Sequence, residues 1–413
     1  MRYFCHFFPL FKETNYICTQ ETFLNLILMN ELLTIIGQFP EIKDVESIEP
    51  LNSGWINKTY RVKTSSEETP DYILQRINHL IFTDIEMLQR NIEAATAHIR
   101  KKLEANGETG INRKVLRFLP TPEGKTYHFD GESYWRVSEF ITGSQTLEAV
   151  TPESSYLAGL NFGEFQAMLA DIPEELGEII PNFHNMEFRL QQLREAVSDN
   201  KVGRLAEVQD IVDAIEADAD KMCQAEVLFR EGKLPKHICH CDTKVSNMLF
   251  DEEGKVLCVI DLDTIMPSFI FSDFGDFLRT AANTGKEDEP ELENVHFNME
   301  IFKPFTKGYL ESARSFLTPI EIEMLPFAAQ LFPYMQAVRF LADIECLALR
   351  LQSLVRSTVE SEMGRTYKHP CCIREDTEAA WKTCFIQGHP ASQCNRVKES
   401  PCLFGSLSFE VKC

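Results

Sequence analysis

The residues best suited to do chemistry in this sequence are Asp242, Asn247 and Asp261, with His240 beside them expected to pack under the loop and orient its backbone. They fall together in the stretch His237 to Thr264, HICHCDTKVSNMLFDEEGKVLCVIDLDT. Asn247 follows closely behind Asp242, and a short apolar run from Val256 to Ile260 delivers Asp261 at its end. A loop aspartate, an amide just beyond it and a second aspartate at a strand end are the parts of a phosphoryl-transfer site. The first carboxylate orients the attacking hydroxyl and accepts its proton; the amide and the second carboxylate hold magnesium on the phosphates of ATP. Asp263 is placed to assist the metal, and Lys244 to touch the γ-phosphate. Singly, Asp242 reads as a loop residue, Asn247 as a turn former and Asp261 as a strand-end cap. Their joint spacing is what points to a site.

Such a site needs a turn that can approach phosphate and a cation held over it. Upstream, Ile48 to Asn78 reads as a twisted hairpin, with Trp55, Tyr60 and Val62 alternating before the polar turn SSEETPD and Tyr72, Ile73 and Leu74 after it. Gly54-x-x-Asn57-x-Thr59 lies on the first turn, where a residue without a Cβ lets backbone amides reach a phosphate. Asp84 to Asn106 is expected to be a helix, opened by Asp84 and carrying Ile85, Leu88, Ile92, Ala95 and Ile99 on one face. Arg76, on the strand before it, is the expected phosphate clamp, with Glu86 or Glu93 of the helix as its carboxylate partner; guanidinium can hold phosphate bidentately. A second hairpin, turning at Asp130-Gly131, leads into VSEFITG, Val137 to Gly143, where Glu139 and Ile141 would offer backbone groups to adenine. From Tyr156 onward the apolar spacing is helical, in LAGLNFGEFQAMLADI, MEFRLQQLREAV and VQDIVDAIEADADKMCQAEVLF.

Composition narrows the partners. Forty-four per cent of the 413 residues are hydrophobic and the formal net charge is −22, an ordinary globular balance that opposes nucleic-acid and anionic-membrane binding. Thirteen cysteines without the spacing of a disulfide scaffold favour reduced thiols and a cytoplasmic location. Cys239, His240 and Cys241 are adjacent, so their side chains diverge, and no Cys-x-x-Cys partner completes a zinc site. No apolar run reaches the length of a membrane span. MRYFCHFFPLF has a basic residue and an apolar patch, but Lys12 and Glu13 interrupt it, so it is not read as a signal peptide. Met29 is the expected true start, because NELLTIIGQF then opens an amphipathic helix.

The chain resembles the aminoglycoside phosphotransferase and choline kinase superfamily, and within it the bacterial N-acetylhexosamine 1-kinases. The matching stretches are NSGWINKTYRV, YILQRIN, IPNFHN, HCDTKVSNMLFD, VIDLDTIMP and DFGDFLRTAANTG, between Ile48 and Asp343. The resemblance implies an α+β, bilobal, protein-kinase-like fold with a small antiparallel β lobe and a larger, mostly helical lobe. The expected divisions are an N-terminal extension and helix over 1–37, a nucleotide-binding lobe over 38–141, a catalytic and substrate-binding lobe over 142–350 and a Cys-rich tail over 351–413. It also implies transfer from ATP, with Mg2+, to the anomeric hydroxyl of an N-acetylhexosamine. Asp242 would act as base, and His184, in IPNFHN, and Arg339 would line the sugar pocket. Asp273-Phe274-Gly275 spells a kinase metal motif but lies too far from Asp242; the spacing gives the metal role to Asp261. Asp273 and Asp276 are expected instead to brace the catalytic loop through backbone hydrogen bonds.

After Asp343 the chain departs from the resemblance, in IECLALRLQSLVRSTVES and the tail to Cys413, which reads as a shifted frame or a divergent replacement. Other readings stay open. The acidic segment KEDEPELEN, Lys286 to Asn294, would suit an amino alcohol or aminoglycoside acceptor. A nucleotide-binding pseudoenzyme with an altered C-terminus is the alternative from another class.

Overall fold

The computed structural model describes residues 27–346, apart from 52–55, 67–68, 148, 202 and 285–294. Gly54, the acidic segment and the Cys-rich tail therefore lie outside the described residues, as do the side chains of residues 343–346. A first helix, α1 (residues 27–36), precedes β1 (Val45–Leu51), β2 (Lys58–Thr64), β3 (Tyr72–Ile77), β4 (His128–Phe129) and β5 (Tyr134–Glu139). These strands form one antiparallel sheet in the order β1-β2-β3-β5-β4.

The period-2 alternation of the strands sorts the sheet's residues onto two faces. Val62, Tyr72, Leu74, Trp135 and Val137 pack with Leu32, Ile35, Ile36 and Phe39 of the α1 region. The opposite face turns toward α2 (Ile85–Ala105) and carries Thr59, Gln75 and Arg136 in a row of direct cross-strand partners. Helix α2 starts where Asp84 accepts the Met87 N–H at 2.9 Å, an N-cap. All five apolar residues expected on one face of it are buried, and each large one contributes about 1.5–3 kcal/mol of gross hydrophobic stabilisation.

The second part of the chain is helical around two short hairpins. Helix α3 (Pro152–Leu169) is opened by a capping box between Thr151 and Ser154, with Pro152 at its first position. Helix α4 (Met186–Asp199) follows. The apolar run from Val208 to Phe229 forms two helices rather than one, α5 (Gln209–Met222) and α6 (Gln224–Arg230), broken at Cys223, whose ψ of 7 leaves the helical basin. The break lets Glu226 turn back to α4, where it accepts the Met186 N–H at 2.6 Å. No Gly or Pro marks the break, so periodicity alone runs through it.

Strands β6 (His237–Cys239) and β9 (Met266–Ser268) pair, and between them β7 (Met248–Phe250) pairs with β8 (Val256–Val259). Helices α7 (Phe271–Ala281), α8 (Met299–Ala313) and α9 (Pro319–Cys346) complete the order. Phe277 stacks on Phe305 at 4.1 Å, and Phe274 meets Tyr309 edge-on at 5.2 Å, giving an aromatic base below the loops. Among the described residues no helix is long and apolar enough to cross a membrane.

Helices α3 and α8 cross at glycine. A Cβ on Gly159 would lie 2.1 Å from the Phe305 carbonyl oxygen, and one on Gly308 would lie 2.2 Å from that of Tyr156. Gly159→Ala must therefore spread two packed helices, at an expected cost of about 1–3 kcal/mol. The measurement is urea unfolding, with a lower midpoint at unchanged slope; an unaltered midpoint would mean that the crossing yields freely.

Candidate active site

Three residues of the loop after β6 are held by groups behind it. Asp273, buried in the first turn of α7, accepts N–H bonds from His240 (2.9 Å) and Cys241 (2.7 Å) on its two oxygens, and a third from Gln166 Nε2 at 2.8 Å. Asp276 accepts the Thr243 N–H at 3.1 Å and the Arg279 Nε–H at 3.1 Å. The Thr264 hydroxyl donates to the His240 carbonyl at 2.7 Å. The bracing expected of Asp273 and Asp276 is what these contacts do. Burial pushes the Asp273 carboxyl up to about 6, against the pull of His240 and the two amides.

His240 is fully buried, edge-on to Phe162 and Phe165. Its Nε2 lies 2.8 Å from the Ile260 carbonyl oxygen, and its Nδ1 accepts the Asp242 N–H at 3.2 Å. One nitrogen must donate and the other accept, so the ring sits as the Nε2–H tautomer and orients the Asp242 backbone. Cys239 and Cys241 flank it, both buried, with thiols raised well above their usual range by burial and then by Asp273. Cys241 is left-handed, at φ 63, a conformation that a β-carbon disfavours. Among the described residues no grouping of three or more His, Cys, Asp or Glu could hold a metal by itself.

Beyond His240 the side chains turn outward. Asp242 is 27% exposed, and Lys244 Nζ lies 3.1 Å from its Oδ1. Asn247 Nδ2 donates to the Asp242 carbonyl at 2.8 Å and to Oδ2 at 3.1 Å. Burial works against the Lys244 charge, but Asp242 and Asp276 outweigh it and hold the ammonium above its usual range. Asn247 is tied to the end of β8 by the Ile260 N–H, which donates to its carbonyl at 2.9 Å, so Asp242, Asn247 and Asp261 converge.

Asp261 is also left-handed, at φ 59, and opens the turn Leu262–Thr264. The residue is exposed, yet partial desolvation by the surrounding protein, together with Asp263 and Asp242, raises its carboxyl to about 6. A carboxylate raised by its carboxylate neighbours, beside an amide, belongs to a donor set short of positive charge. This fits a hard divalent cation whose remaining ligands come from phosphate and water. Asp263 is different: it is 4% exposed, with Oδ1 2.5 Å from Arg136 Nη1 and Oδ2 accepting from Asn57 Nδ2 at 2.6 Å. Both of its oxygens lie against side chains of the sheet lobe in this arrangement.

On the nucleotide side Arg76 shares its strand face with Tyr72 and Leu74, away from α2; its Nε donates to Ser133 Oγ at 2.8 Å and its Nη2 lies 3.7 Å from Glu132. Glu86 meets Lys125 (3.4 Å) and Tyr127 (3.1 Å), and Glu93 accepts from Thr126 at 2.5 Å. No ion pair joins Arg76 to either glutamate. Alternation gives the inward place to its neighbour Gln75, and the buried cation is Arg136 on β5. Thr59 Oγ1 accepts from Gln75 at 3.4 Å, and Asn57 Oδ1 accepts the Asn78 N–H at 2.9 Å. Glu139 pairs with Arg117 at 2.6 Å, and Ile141 is buried, its carbonyl accepting from Ser144.

On the acceptor side His184 stacks on Phe183 at 4.2 Å and meets Phe332 edge-on at 4.9 Å, with Nδ1 3.0 Å from Ser272 Oγ. The Arg339 guanidinium lies over the other partner, Phe183, at 5.3 Å. The structure thus brings His184 and Arg339 together. Burial, then Arg339, Arg189 and Arg279, push the imidazole well below its usual range, so His184 is neutral at pH 7. Arg279 also acts on Lys244 and Asp276, which puts it between this cluster and Asp242.

A family model described as "Phosphotransferase enzyme family", APH, matches residues 47–305, more than half of the chain and all of the loop just described. The chain belongs to the APH family. Solved structures agree on the APH fold. An aminoglycoside phosphotransferase from Alicyclobacillus acidocaldarius subsp. acidocaldarius is 14% identical with a TM-score of 0.57, over 84% of this chain and 96% of that one. Amicoumacin kinase hAmiN, solved in complex with AMP-PNP, Ca2+ and Ami, is 14% identical with a TM-score of 0.51, over 83% and 94%. A sheet lobe followed by a helical lobe is the architecture shared with these neighbours.

Arg136 lies outside the matching stretches, and in YILQRIN the charged Arg76 draws the reading away from its neighbour Gln75. Phase along the strands could have found them: taking the apolar Leu74 and Val137 as the α1-facing positions puts Gln75 and Arg136 on the other face.

Proposed function

We propose that this APH-family protein is an ATP-dependent kinase of a neutral, hydroxyl-bearing small molecule, with the anomeric hydroxyl of an N-acetylhexosamine as the acceptor that the sequence resemblance favours. The observation that carries this reading is the setting of Asp242. Its carboxylate stands beside Asn247 and Lys244; the charges that act most on His184 are Arg339, Arg189 and Arg279, with Asp276 committed to Arg279. The glutamates that line the cavity beside His184 are themselves engaged, Glu178 with Lys236, Glu187 with Arg230 and Glu226 with the Met186 N–H. A cationic amine acceptor would need carboxylates there that are not already paired; a polyol meets donors suited to hydroxyl oxygens.

Asp242 orients the acceptor hydroxyl and takes its proton as the bond to phosphorus forms. Lys244, 44% exposed, moves from Asp242 to the transferring phosphoryl oxygens and frees the carboxylate for the acceptor. Asn247 and Asp261 would hold Mg2+, which when bound supplies positive charge to the phosphate oxygens. Asp273 and Asp276 keep the loop amides fixed so that Asp242 does not drift during transfer.

The test is a panel of N-acetylglucosamine, N-acetylgalactosamine, other sugars, choline and aminoglycosides with MgATP, read by phosphorus NMR of the product. An anomeric sugar phosphate is expected. A phosphocholine-type product or a phosphorylated aminoglycoside would replace the neutral-acceptor reading, and ATP binding without turnover on any acceptor would favour a pseudoenzyme.

A further inference from the structure

Asp263 closes a ring of polar contacts that joins the sheet to the turn after Asp261. Its Oδ1 lies 2.5 Å from Arg136 Nη1; Arg136 Nε donates to Gln75 Oε1 at 2.9 Å; Gln75 Nε2 donates to Thr59 Oγ1 at 3.4 Å. Two residues before Thr59, Asn57 Nδ2 donates back to Asp263 Oδ2 at 2.6 Å. Thr59, Gln75 and Arg136 are register partners on β2, β3 and β5, so the row is set by strand pairing, and Gln89 of α2 supports Arg136 from the side at 3.2 Å. Arg136 is 2% exposed, too deep in this arrangement to touch a ligand.

We propose that Arg136 is a positioning residue of the nucleotide site: by holding Asp263 it fixes the Leu262–Thr264 turn, and with it Asp261, against the sheet that bears the Asn57 turn. This rests on the kinase reading above. The ring braces the turn, a role distinct from the phosphate clamp expected of Arg76 with Glu86 or Glu93, and Asp263 becomes a structural anion rather than a metal ligand. Without Arg136 the buried Asp263 charge is uncompensated, and Asp261, left-handed at φ 59, is no longer constrained to stay so.

The test uses Arg136→Met, Arg136→Lys, Asp263→Asn, the Arg136→Met/Asp263→Asn double variant and Asn57→Ala in the full chain. The readouts are amide hydrogen exchange and calorimetric affinity for MgADP. Arg136→Met is expected to speed exchange at Leu262 to Ile265 at least tenfold, with α8 unchanged, and to weaken MgADP at least tenfold. Arg136→Lys should recover part of both, and the double variant should be no worse than the singles because they remove one shared interaction. A folded Arg136→Met with wild-type exchange at those amides overturns the proposal. If that variant does not fold, Asn57→Ala decides, since it removes one partner of Asp263 without stranding a charge, and wild-type exchange in it overturns the proposal equally. Absence of MgADP binding in the wild-type protein would fell the kinase reading instead, and the exchange result would still decide the ring.

Discussion

Asp242→Asn is expected to lower kcat by about two to four orders of magnitude, the scale of a lost general base. The substitution keeps shape and removes charge. Asn247 retains its bond to the Asp242 backbone carbonyl, and the loop amides remain held by Asp273 and Asp276, so the fold has little reason to change. Lys244 loses its partner but is 44% exposed and returns to water. The expected signature is therefore a large fall in kcat with the melting temperature and the ATP affinity near those of the wild type. Steady-state kinetics on the best acceptor from the panel, beside a thermal melt, makes the measurement. A variant within tenfold of wild-type kcat would sink the assignment of Asp242 as base.

The second large effect is on stability. Asp273→Ala orphans the N–H groups of His240 and Cys241 and leaves the Gln166 amide only the Cys239 sulfur, 3.4 Å away, in a place that water does not reach. Buried donors left without acceptors cost about 1–3 kcal/mol each, so a loss on the order of 3–5 kcal/mol is expected, a large part of a typical folding free energy. The outcome separates two readings of Asp273-Phe274-Gly275. A bracing residue predicts a lower urea midpoint with the Mg2+ dependence of residual activity unchanged. A metal ligand predicts the reverse, and that result would return the metal role to Asp273.

Asp273 also sets a pH dependence with a definite sign. Its folded carboxyl is raised to about 6 by burial, above the ordinary value of 3.8, so between these values the folded protein holds the proton more tightly than the unfolded chain. The contribution is fully present below about 4 and is lost as pH rises through about 6, on the order of 3 kcal/mol in all. Unfolding free energies from pH 4 to 7 should fall more steeply in the wild type than in Asp273→Asn. Parallel profiles would show that the three hydrogen bonds, not burial, govern the group.

The parts of this molecule that were legible in its sequence are those with a local cause. Asp84 capping α2, the apolar stripe from Ile85 to Ile99, the turn at Asp130-Gly131 and the strand delivering Asp261 follow from neighbours along the chain. The spacing of Asp242, Asn247 and Asp261 could be read because a hairpin of fixed length separates them. What could not be read depends on residues distant in sequence. The choice between Arg76 and Gln75 turns on strand phase, and the partner of Asp263 is Arg136, reached through the sheet. The break at Cys223 has no local signal at all, and its use, Glu226 reaching Met186, exists only once α4 and α6 are packed. The hinge reading of Glu139 and Ile141 remains a proposal about backbone atoms near adenine.

The cysteines beside the catalytic loop have a consequence of another kind. Cys239, Cys241 and Cys258 are buried, and burial raises their thiols, that of Cys258 to about 12; partly buried Cys223 is likewise raised to about 12. Nucleophilic attack and oxidation both begin at the thiolate. The sulfur next to Asp242 is therefore placed as packing volume, and alkylation of the folded protein is expected to spare it.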